Sequence, residues 1–201
     1  MHMHEIIDQQ LAAFRALTGR TALNIVETGS IRFNTPEHEQ GDGWSTLQFA
    51  RDVQANGGNL ISIDLDTSVA REVLTQRGIE VEDNSDLCGI HLVEGHSIEV
   101  LAHMALMENG YQLQRPIDVL LLDSDNDADL ILHEWLVAKQ LLSGDALLMV
   151  DDVDLSSPNV VKGHKIAPWL DQYDEIEYRV VPRTGGGVRT GVLTAHITRV
   201  W

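Results

Sequence analysis

The stretch Ile117–Asp154, IDVLLLDSDNDADLILHEWLVAKQLLSGDALLMVDDVD, decides the fold. It predicts a buried strand over Ile117–Leu122, an acidic turn, a helix over about Ala128–Leu142, and a second strand over Ala146–Val150. Both predicted strands are nearly continuous apolar runs, which is typical of strands covered on both faces of a parallel sheet. The stretch therefore predicts a strand–helix–strand unit of an α/β protein.

Acidic residues follow both predicted strands. Asp123 comes directly after the first strand, and Asp151 and Asp152 come directly after the second. In an open α/β sheet the carboxyl ends of parallel strands share one edge, and ligands bind at that edge. We therefore expect these three carboxylates to converge on one small region.

Composition limits the class of protein. A chain of 201 residues suits one domain, residues 1–201, with a sizeable core. The formal net charge of −17 argues against nucleic acid and against an anionic membrane surface as partners. No apolar run approaches the roughly 20 residues of a membrane span, and the N-terminus lacks an apolar signal core. The single Cys88 suits a reducing compartment, so we expect a cytoplasmic protein.

The rest of the chain alternates predicted strands and helices. Apolar residues at helical spacing predict an N-terminal helix within residues 1–20, ended by Gly19. Further strands are predicted over Ala22–Val26, Asn59–Ile63 and His91–Val93, and Glu175–Val181 and Val192–Thr198 are expected to form an antiparallel pair. Five strands that alternate with helices before a terminal pair predict a doubly wound α/β sheet.

The turn after the first strand, Glu27-Thr28-Gly29-Ser30, indicates the kind of ligand. It lacks the G-x-G-x-x-G spacing of dinucleotide sites, and the chain has no Walker-type phosphate loop. Glu27 at the strand end would repel phosphate but suits a ligand that carries positive charge, such as S-adenosylmethionine. Asp64, at the end of the next strand, stands where a carboxylate accepts hydrogen bonds from both ribose hydroxyls.

With these residues the sequence resembles class I S-adenosylmethionine-dependent methyltransferases. The resemblance covers nearly the whole chain and is carried, in order, by ETG at Glu27–Gly29, GWST at Gly43–Thr46, IDLD at Ile63–Asp66, VEGHS at Val93–Ser97 and DVLLLDSD at Asp118–Asp125. It implies a Rossmann-like sheet of seven strands, mostly parallel, with an antiparallel C-terminal strand. It also implies cofactor contacts from Glu27, Gly29 and Ser45 to the methionine part, from Asp64 to the ribose, and from Gly95 and Ser97 on the adenine side.

The first turn departs from the family. About a dozen residues separate Gly29 from Gly43, where the family has a compact glycine turn. This insertion, residues 31–43, contains Arg32, Glu37 and His38. Two interpretations stay open: these side chains touch substrate or cover the cofactor, or the insertion is a tolerated surface loop.

The three aspartates indicate a metal. Closely spaced carboxylates repel one another unless they are protonated or bridged by a cation, and oxygen ligands favour Mg²⁺ or Ca²⁺. Asp123, Asp151 and Asp152 resemble the Mg²⁺ ligands of catechol-type and antibiotic-sugar O-methyltransferases. In the sugar enzymes the base is an Asp two residues after the first ligand or a His three residues after it. Asp125 fills the first of these positions, so the resemblance makes it the candidate base.

Other interpretations of the acidic turn remain. Asn126 stands where the other sugar enzymes have histidine, and His164 is an alternative base. The acids after Leu122 could instead cap the following helix. The spacing of Asp123, Asp125, Asp127 and Glu134 also matches an EF-hand calcium loop, although Ala128 replaces its glycine and a strand precedes it.

Together these patterns predict methyl transfer from S-adenosylmethionine to a hydroxyl of a small molecule, with Mg²⁺ assistance. The alternatives are a metal-independent methyltransferase, a non-catalytic nucleotide-binding protein of the same fold, and an NAD enzyme, which Glu27 and the missing glycine spacing disfavour. We expect a hydroxylated small-molecule acceptor, no nucleic acid and no membrane as partners, with a homodimer as an alternative to a monomer.

Overall fold

The computed structural model describes residues 1–41, 44–82, 89–106, 115–184 and 190–198. Its strands are β1 (Leu23–Thr28), β2 (Gly58–Asp64), β3 (Ile90–Glu94), β4 (Ile117–Leu122), β5 (Leu142–Val153), β6 (Tyr178–Pro182) and β7 (Gly191–Thr198). Its helices are α1 (Met3–Thr18), α2 (Pro36–Gly41), α3 (Ser45–Asn56), α4 (Ser68–Gln76), α5 (Ser97–Leu106), α6 (Ala128–Ala138) and α7 (Gly163–Leu170), and a 3₁₀ turn spans Lys139–Leu141.

The strands form one sheet in the order β3-β2-β1-β4-β5-β7-β6. β1 to β5 pair in parallel, whereas β7 lies antiparallel between β5 and β6. This confirms the predicted doubly wound sheet with seven strands and an antiparallel C-terminal strand. The strand order reverses between β1 and β4, so the chain leaves these two neighbours toward opposite sides and opens a crevice at their carboxyl ends.

The sheet is covered on both faces, which explains the apolar runs of its central strands. Every residue of β1 and of β4 is buried. One apolar cluster packs α1, α3 and α4 against one face, and the other packs α5, α6 and α7 against the opposite face. Trp135 of α6 is fully buried in the second cluster. Within the described residues, no helix has both the length and the apolar character to cross a bilayer.

The structure corrects several predicted boundaries. The inserted segment 31–43 is not only loop, because α2 forms within it. The helix predicted to reach Leu142 ends at Ala138, and β5 runs from Leu142 to Val153, so Asp151 and Asp152 belong to the end of the strand. The edge strand begins at Tyr178 instead of Glu175. Gly43, Cys88 and residues 185–189 lie outside the described residues.

A fully buried carboxylate links three elements near the carboxyl end of β1. The Glu27 side chain accepts hydrogen bonds from Thr46 Oγ1 (2.8 Å), from Ser62 Oγ of β2 (2.7 Å) and from Ser45 Oγ at the start of α3. Burial raises the pKa of Glu27 from 4.5 to about 7, although the three hydroxyl groups oppose this shift. Glu27 therefore connects β1, β2 and α3 through hydrogen bonds at the base of the crevice.

The start of β2 requires glycine. Gly58 has φ +109°, and a Cβ there would lie 2.1 Å from the carbonyl oxygen of Leu23, whereas Gly78 has φ +71° and nothing within 4 Å of its Cβ position. We expect Gly58→Ala to lower the free energy of unfolding by about 3 kcal/mol or more and Gly78→Ala by only about 1 kcal/mol, because only the first adds a clash to an unfavourable φ. Urea unfolding measures both values, and equal losses would contradict this account.

The raised pKa of Glu27 predicts a pH-dependent stability. The folded protein binds this proton more tightly than the unfolded chain, so the stabilisation is present below pH 4.5 and is lost as pH rises through about 7. The stability of Glu27→Gln relative to wild type should therefore increase by up to about 3 kcal/mol between pH 4.5 and pH 8. Urea unfolding across this range measures the difference, with the exposed Glu80→Gln as control. A difference that does not change with pH would show that Glu27 is not responsible.

Candidate active site

Two cavities meet at the carboxyl ends of β1, β4 and β5. The first has a volume of about 390 Å³, and its walls include Gly29, Asp64, Gly95, Ser97 and Ser124. The second has a volume of about 280 Å³, and its walls include Phe33, Trp44, Ser45, Asp123, Asp151, Asp152, Lys162 and Arg183. Arg32 and Asp125 line both cavities and so mark their boundary. A larger groove of about 450 Å³ lies between α1 and the β6–β7 edge, and none of the predicted site residues lines it.

The first cavity gathers four of the predicted cofactor residues. Gly29 has φ +86°, and a Cβ there would lie 2.3 Å from the carbonyl oxygen of Asp123, so only glycine allows β1 and β4 to approach this closely. Asp64 accepts hydrogen bonds from the backbone N–H groups of Ser30 and Leu65, both at 2.7 Å. The backbone N–H of Gly95 donates to the Asp64 carbonyl at 2.9 Å. Asp64, Gly29, Gly95 and Ser97 thus lie together, as predicted.

The structure places Glu27 and Ser45 differently from the other predicted cofactor residues. Glu27 is fully buried and lines neither cavity, so it reaches the site only through the hydroxyl groups that it binds. Ser45 lines the second cavity and not the first. Ser45 and Glu27 connect the first turn to α3 through their hydrogen bond, and their contact with the methionine part of the cofactor stays a prediction.

A second buried carboxylate lies on the other side of β1. Glu134 of α6 is fully buried and accepts hydrogen bonds from Thr28 Oγ1 (3.1 Å) and from Ser97 Oγ. Burial raises the pKa of Glu134 above its ordinary value, and the hydroxyl donors oppose the shift. In the sequence, Glu134 stands out only as a possible ligand of an EF-hand calcium loop. Its helical spacing from Ile131 is the signal that its side chain faces the core.

The three predicted metal ligands converge. One oxygen from each of Asp123, Asp151 and Asp152 lies within 4.8 Å of the others. Asp151 is almost fully buried, and its Oδ1 has no hydrogen-bond partner within the described part of the chain. Burial and the charge of Asp123 raise the pKa of Asp151 to about 7 against the lowering effect of Arg183. Asp152 has φ +52°, an uncommon conformation for a residue other than glycine. The cluster thus combines three converging carboxylates with a buried oxygen that has no hydrogen-bond donor among the described residues.

Two buried cations that the sequence analysis did not identify accompany the aspartates. Lys162, only 4% exposed, forms an ion pair with Asp123 through its Nζ. Arg183 donates from Nη1 to Asp151 at 2.6 Å and from Nη2 to Asp152 at 3.0 Å. Burial by itself would lower the pKa of Lys162, but the charge and hydrogen bond of Asp123, together with the charges of Asp151 and Asp152, raise it above its ordinary value. No sequence spacing relates these cations to the acids, because Lys162 lies before α7 and Arg183 lies after β6.

The two candidate bases lie in different surroundings. Asp125 is exposed on the boundary of the two cavities, and its Oδ1 accepts the backbone N–H of Asn126 at 2.7 Å. His164 of α7 lines neither cavity, and its Nε2 lies 3.3 Å from the carbonyl oxygen of Asp154. Asn126 contacts the segment before Lys162, because its side chain donates to Asn159 O (3.1 Å) and accepts from Val161 N–H (3.2 Å). The geometry favours Asp125 over His164.

The insertion contributes to the site through some of its residues. Arg32 donates from Nη2 to the carbonyl oxygen of Ser124, and its Nε lies 3.9 Å from Asp64 Oδ2. Phe33 lines the second cavity and stacks on His38 with a centroid distance of 4.4 Å. Trp44 Nε1 donates to Phe33 O at 3.1 Å. Glu37 lines neither cavity. The insertion is therefore part of the cavity walls, with Arg32 closest to both cavities.

The alternative interpretations of the acidic turn receive little support. Asp127 does cap α6, since its Oδ1 accepts from the N–H groups of Asp129 (2.8 Å) and Leu130 (3.3 Å), but capping accounts for Asp127 alone. An EF-hand would need Glu134 beside Asp123 and Asp125, whereas Glu134 is buried against Thr28 and Ser97. The turn follows a strand, and its acids do not form a calcium loop.

Comparison with known structures supports the fold. An O-methyltransferase from Bacillus cereus in complex with SAH superposes with a TM-score of 0.67 at 16% identity, over 94% of this chain and 81% of that one. A putative O-methyltransferase from Klebsiella pneumoniae gives 0.65 at 20% identity, over 94% and 79%. TomG from Streptomyces achromogenes, an O-methyltransferase involved in tomaymycin synthesis and solved with SAM, gives 0.63 at 20% identity, over 94% and 80%.

Sequence comparison assigns the family. No curated protein matches the chain at a significant level. The sequence profile of a methyltransferase domain, however, matches residues 39–153, more than half of the chain. This region runs from the end of the insertion to the end of β5 and contains Asp64, Gly95, Ser97 and the aspartate cluster. The protein therefore belongs to this methyltransferase-domain family and has the fold of class I S-adenosylmethionine-dependent methyltransferases.

Proposed function

We propose that this protein transfers the methyl group of S-adenosylmethionine to a hydroxyl of a small molecule, assisted by a divalent cation such as Mg²⁺. The arrangement of the two cavities carries this proposal. One cavity contains the acid expected to bind ribose, the other contains a carboxylate cluster, and the two meet at Arg32 and Asp125. The similar structures from Bacillus and Streptomyces, described as O-methyltransferases with bound SAH or SAM, support hydroxyl methylation.

The first cavity suits the cofactor. Asp64 would accept hydrogen bonds from the ribose hydroxyls, Gly95 and Ser97 would lie against the adenine, and Gly29 would lie against the methionine part. The Asp64 carboxylate already accepts from Ser30 and Leu65, and its remaining lone pairs allow further donors. Glu27 and Ser45 would act by holding the turn that carries Gly29. The sulfonium would then lie toward the boundary with the second cavity.

The donor set of the second cavity fits a divalent cation. Three carboxylates offer only oxygen ligands, which hard cations prefer. The Oδ1 of Asp151 is a buried acceptor for which the described residues supply no donor. Asp123, Asp151 and Asp152 would hold the ion. A bound cation would lower the pKa of an acceptor hydroxyl and fix its oxygen. With Lys162 and Arg183 the cluster carries one net negative charge, which a cation and an ionised acceptor oxygen together would neutralise.

The protein itself supplies orientation and a base. Asp125 on the cavity boundary would take the proton from the acceptor hydroxyl. Phe33 and Trp44 would provide apolar wall for the body of the acceptor. Lys162 and Arg183 hold the aspartates in place and keep positive charge near the oxygen that becomes negative. Placement of the oxygen in line with the methyl–sulfur bond is the main contribution that such a site makes to rate.

One observation favours a metal-independent reaction as the second candidate. Each of the three aspartates already has a basic partner, Lys162 or Arg183. Such internal cations replace part of the charge that a metal would supply, and mutual repulsion among the carboxylates no longer demands an ion. In that case the cluster would be structural, and Asp125 alone would assist the acceptor.

The cofactor assignment predicts the effect of Asp64→Asn. We expect micromolar binding of S-adenosylmethionine to wild type, of order −8 kcal/mol, and a dissociation constant at least about tenfold higher for Asp64→Asn, because a charged acceptor is lost. Asp66→Asn is the control, since the Asp66 side chain accepts the backbone N–H of Ser68 and lines neither cavity. Isothermal titration calorimetry measures all three. Absence of binding to the wild type would refute the proposed function.

The metal assignment predicts the effect of Asp152→Asn. Asparagine tolerates the positive φ of this position and keeps an oxygen for Arg183 and Thr190, but it removes a charge from the cluster. Calorimetric titration with Mg²⁺ should give an affinity at least about tenfold weaker than for wild type. Asp154→Asn, which changes an acid outside both cavities, should bind Mg²⁺ as wild type does.

The same titration separates the two candidate reactions. Wild-type protein that takes up no Mg²⁺, together with methyl transfer that EDTA leaves unchanged, would favour the metal-independent reaction. Loss of cofactor affinity in Asp152→Asn but not in Asp64→Asn would show that the cofactor binds in the second cavity and not in the first.

A further inference from the structure

Glu134 is a buried titratable group for which the proposed reaction has no use. It lies on α6, on the face that packs against the sheet, and has no exposed surface. A buried carboxylate costs free energy unless its oxygens receive hydrogen bonds. Neither hydrogen-bond donor described above for Glu134 is part of the apolar core: each belongs to a segment that forms the wall of a cavity.

The first donor connects Glu134 to the cofactor cavity. Ser97 is the first residue of α5, lines that cavity and donates its hydroxyl to Glu134 Oε1. Among the described residues, Glu134 is the acceptor that the Ser97 hydroxyl binds. The carboxylate therefore determines the direction of the Ser97 hydroxyl and holds the start of α5 against α6.

The second donor connects Glu134 to the acidic turn. Thr28, the last residue of β1, donates to Glu134 Oε2 at 3.1 Å. The backbone N–H of Asp123 in turn donates to the Thr28 carbonyl at 2.8 Å and lies 3.4 Å from Thr28 Oγ1. The residue that begins the acidic turn is thus bound to the same threonine that Glu134 holds.

We propose that Glu134 is a positioning residue that fixes the cofactor cavity, through Ser97, relative to the turn that carries Asp123 and Asp125, through Thr28. This inference rests on the proposed binding of S-adenosylmethionine in the first cavity. Glu134 does not touch the ligands. It acts by aligning the wall of the first cavity, which would hold the methyl donor, with the wall of the second cavity, which would hold the methyl acceptor. A small displacement between these two walls would strongly affect methyl transfer.

Calorimetric titration with S-adenosylmethionine tests the proposal on Glu134→Ala and Glu134→Gln. The alanine variant should raise the dissociation constant at least about tenfold, because Ser97 and Thr28 lose their acceptor. The glutamine variant should lose less, about threefold, because its amide oxygen still accepts one hydroxyl. Since alanine leaves a buried cavity, the glutamine variant decides the matter if the alanine variant does not fold.

A matched control separates positioning from general destabilisation. Asp118 is also a buried carboxylate, bound by Arg20 Nη1 (2.6 Å) and the N–H of Asn24 (2.9 Å), but it lies at the opposite end of β4. Asp118→Asn should lower the melting temperature while it leaves the dissociation constant within about twofold of wild type. Equal losses of cofactor affinity in Asp118→Asn and Glu134→Gln would overturn the proposal.

A double-mutant cycle with Ser97→Ala gives a second readout. If Glu134 acts through Ser97, the substitution Ser97→Ala should weaken cofactor binding in the wild type but have little further effect in Glu134→Ala, which has no acceptor for that hydroxyl. Fully additive effects would overturn the proposal, as would wild-type affinity in folded Glu134 variants. Wild-type protein that binds no S-adenosylmethionine would refute the proposed function as well, whereas wild-type binding with unaffected Glu134 variants refutes this inference alone.

Discussion

Carboxylates cannot be buried without partners, and this constraint organises the carboxyl-terminal edge of the sheet. An unpaired buried charge costs several kcal/mol, and Glu27, Glu134 and Asp151 are all removed from solvent here. Their partners come from other elements. Hydroxyl groups of α3, β1, β2 and α5 surround the two glutamates, and Arg183 binds Asp151. Each of these contacts therefore joins two segments at the crevice, so the polar groups of the site are also what holds its walls together.

This arrangement divides the edge into two chemically distinct halves. On the side of β1 and β2 the buried acids are bound by neutral hydroxyls, and the cavity there is lined by the carboxylate of Asp64, with Asp125 at its boundary. On the side of β4 and β5 the acids are bound by Lys162 and Arg183, which concentrates charge of both signs. A cationic cofactor suits the first half, and an ionisable hydroxyl suits the second. Arg32 and Asp125 lie where these halves meet.

The insertion after Gly29 shows how local sequence was informative but incomplete. Its length and its polar composition indicate a departure from a compact glycine turn. They fit a segment that contacts substrate or cofactor as well as they fit a surface loop. The structure distinguishes its residues: Arg32 and Phe33 line cavities, His38 stacks on Phe33, and Glu37 lines neither cavity. Which of these residues face the cavities depends on the position of α2. The sequence of α2 is short and polar, so it has no hydrophobic periodicity that would predict this position.

The acidic residues were found from sequence because each follows an apolar strand, and parallel strands bring their carboxyl ends to one edge. Their partners could not be found in this way. Lys162 lies on the segment before α7 and Arg183 follows β6, so their approach to Asp123 and Asp151 depends on how the chain after β5 returns across the sheet. In the sequence, Glu134 belongs to the four residues that match a calcium loop, and this match predicts a side chain near solvent. In the structure, α6 instead directs Glu134 into the core.

The sequence by itself determined the doubly wound sheet, the carboxyl-terminal edge as the site, and the convergence of Asp64 and of Asp123, Asp151 and Asp152 upon it. These follow from strand periodicity and from the parallel connection of neighbouring strands, which are local rules. Only the tertiary structure decided that Glu27 and Glu134 are buried supports and that Lys162 and Arg183 neutralise the cluster. The physical reason is that these contacts act through space between separate segments, 31 residues apart for Arg183 and Asp152 and 106 for Thr28 and Glu134, and no spacing along the chain records them.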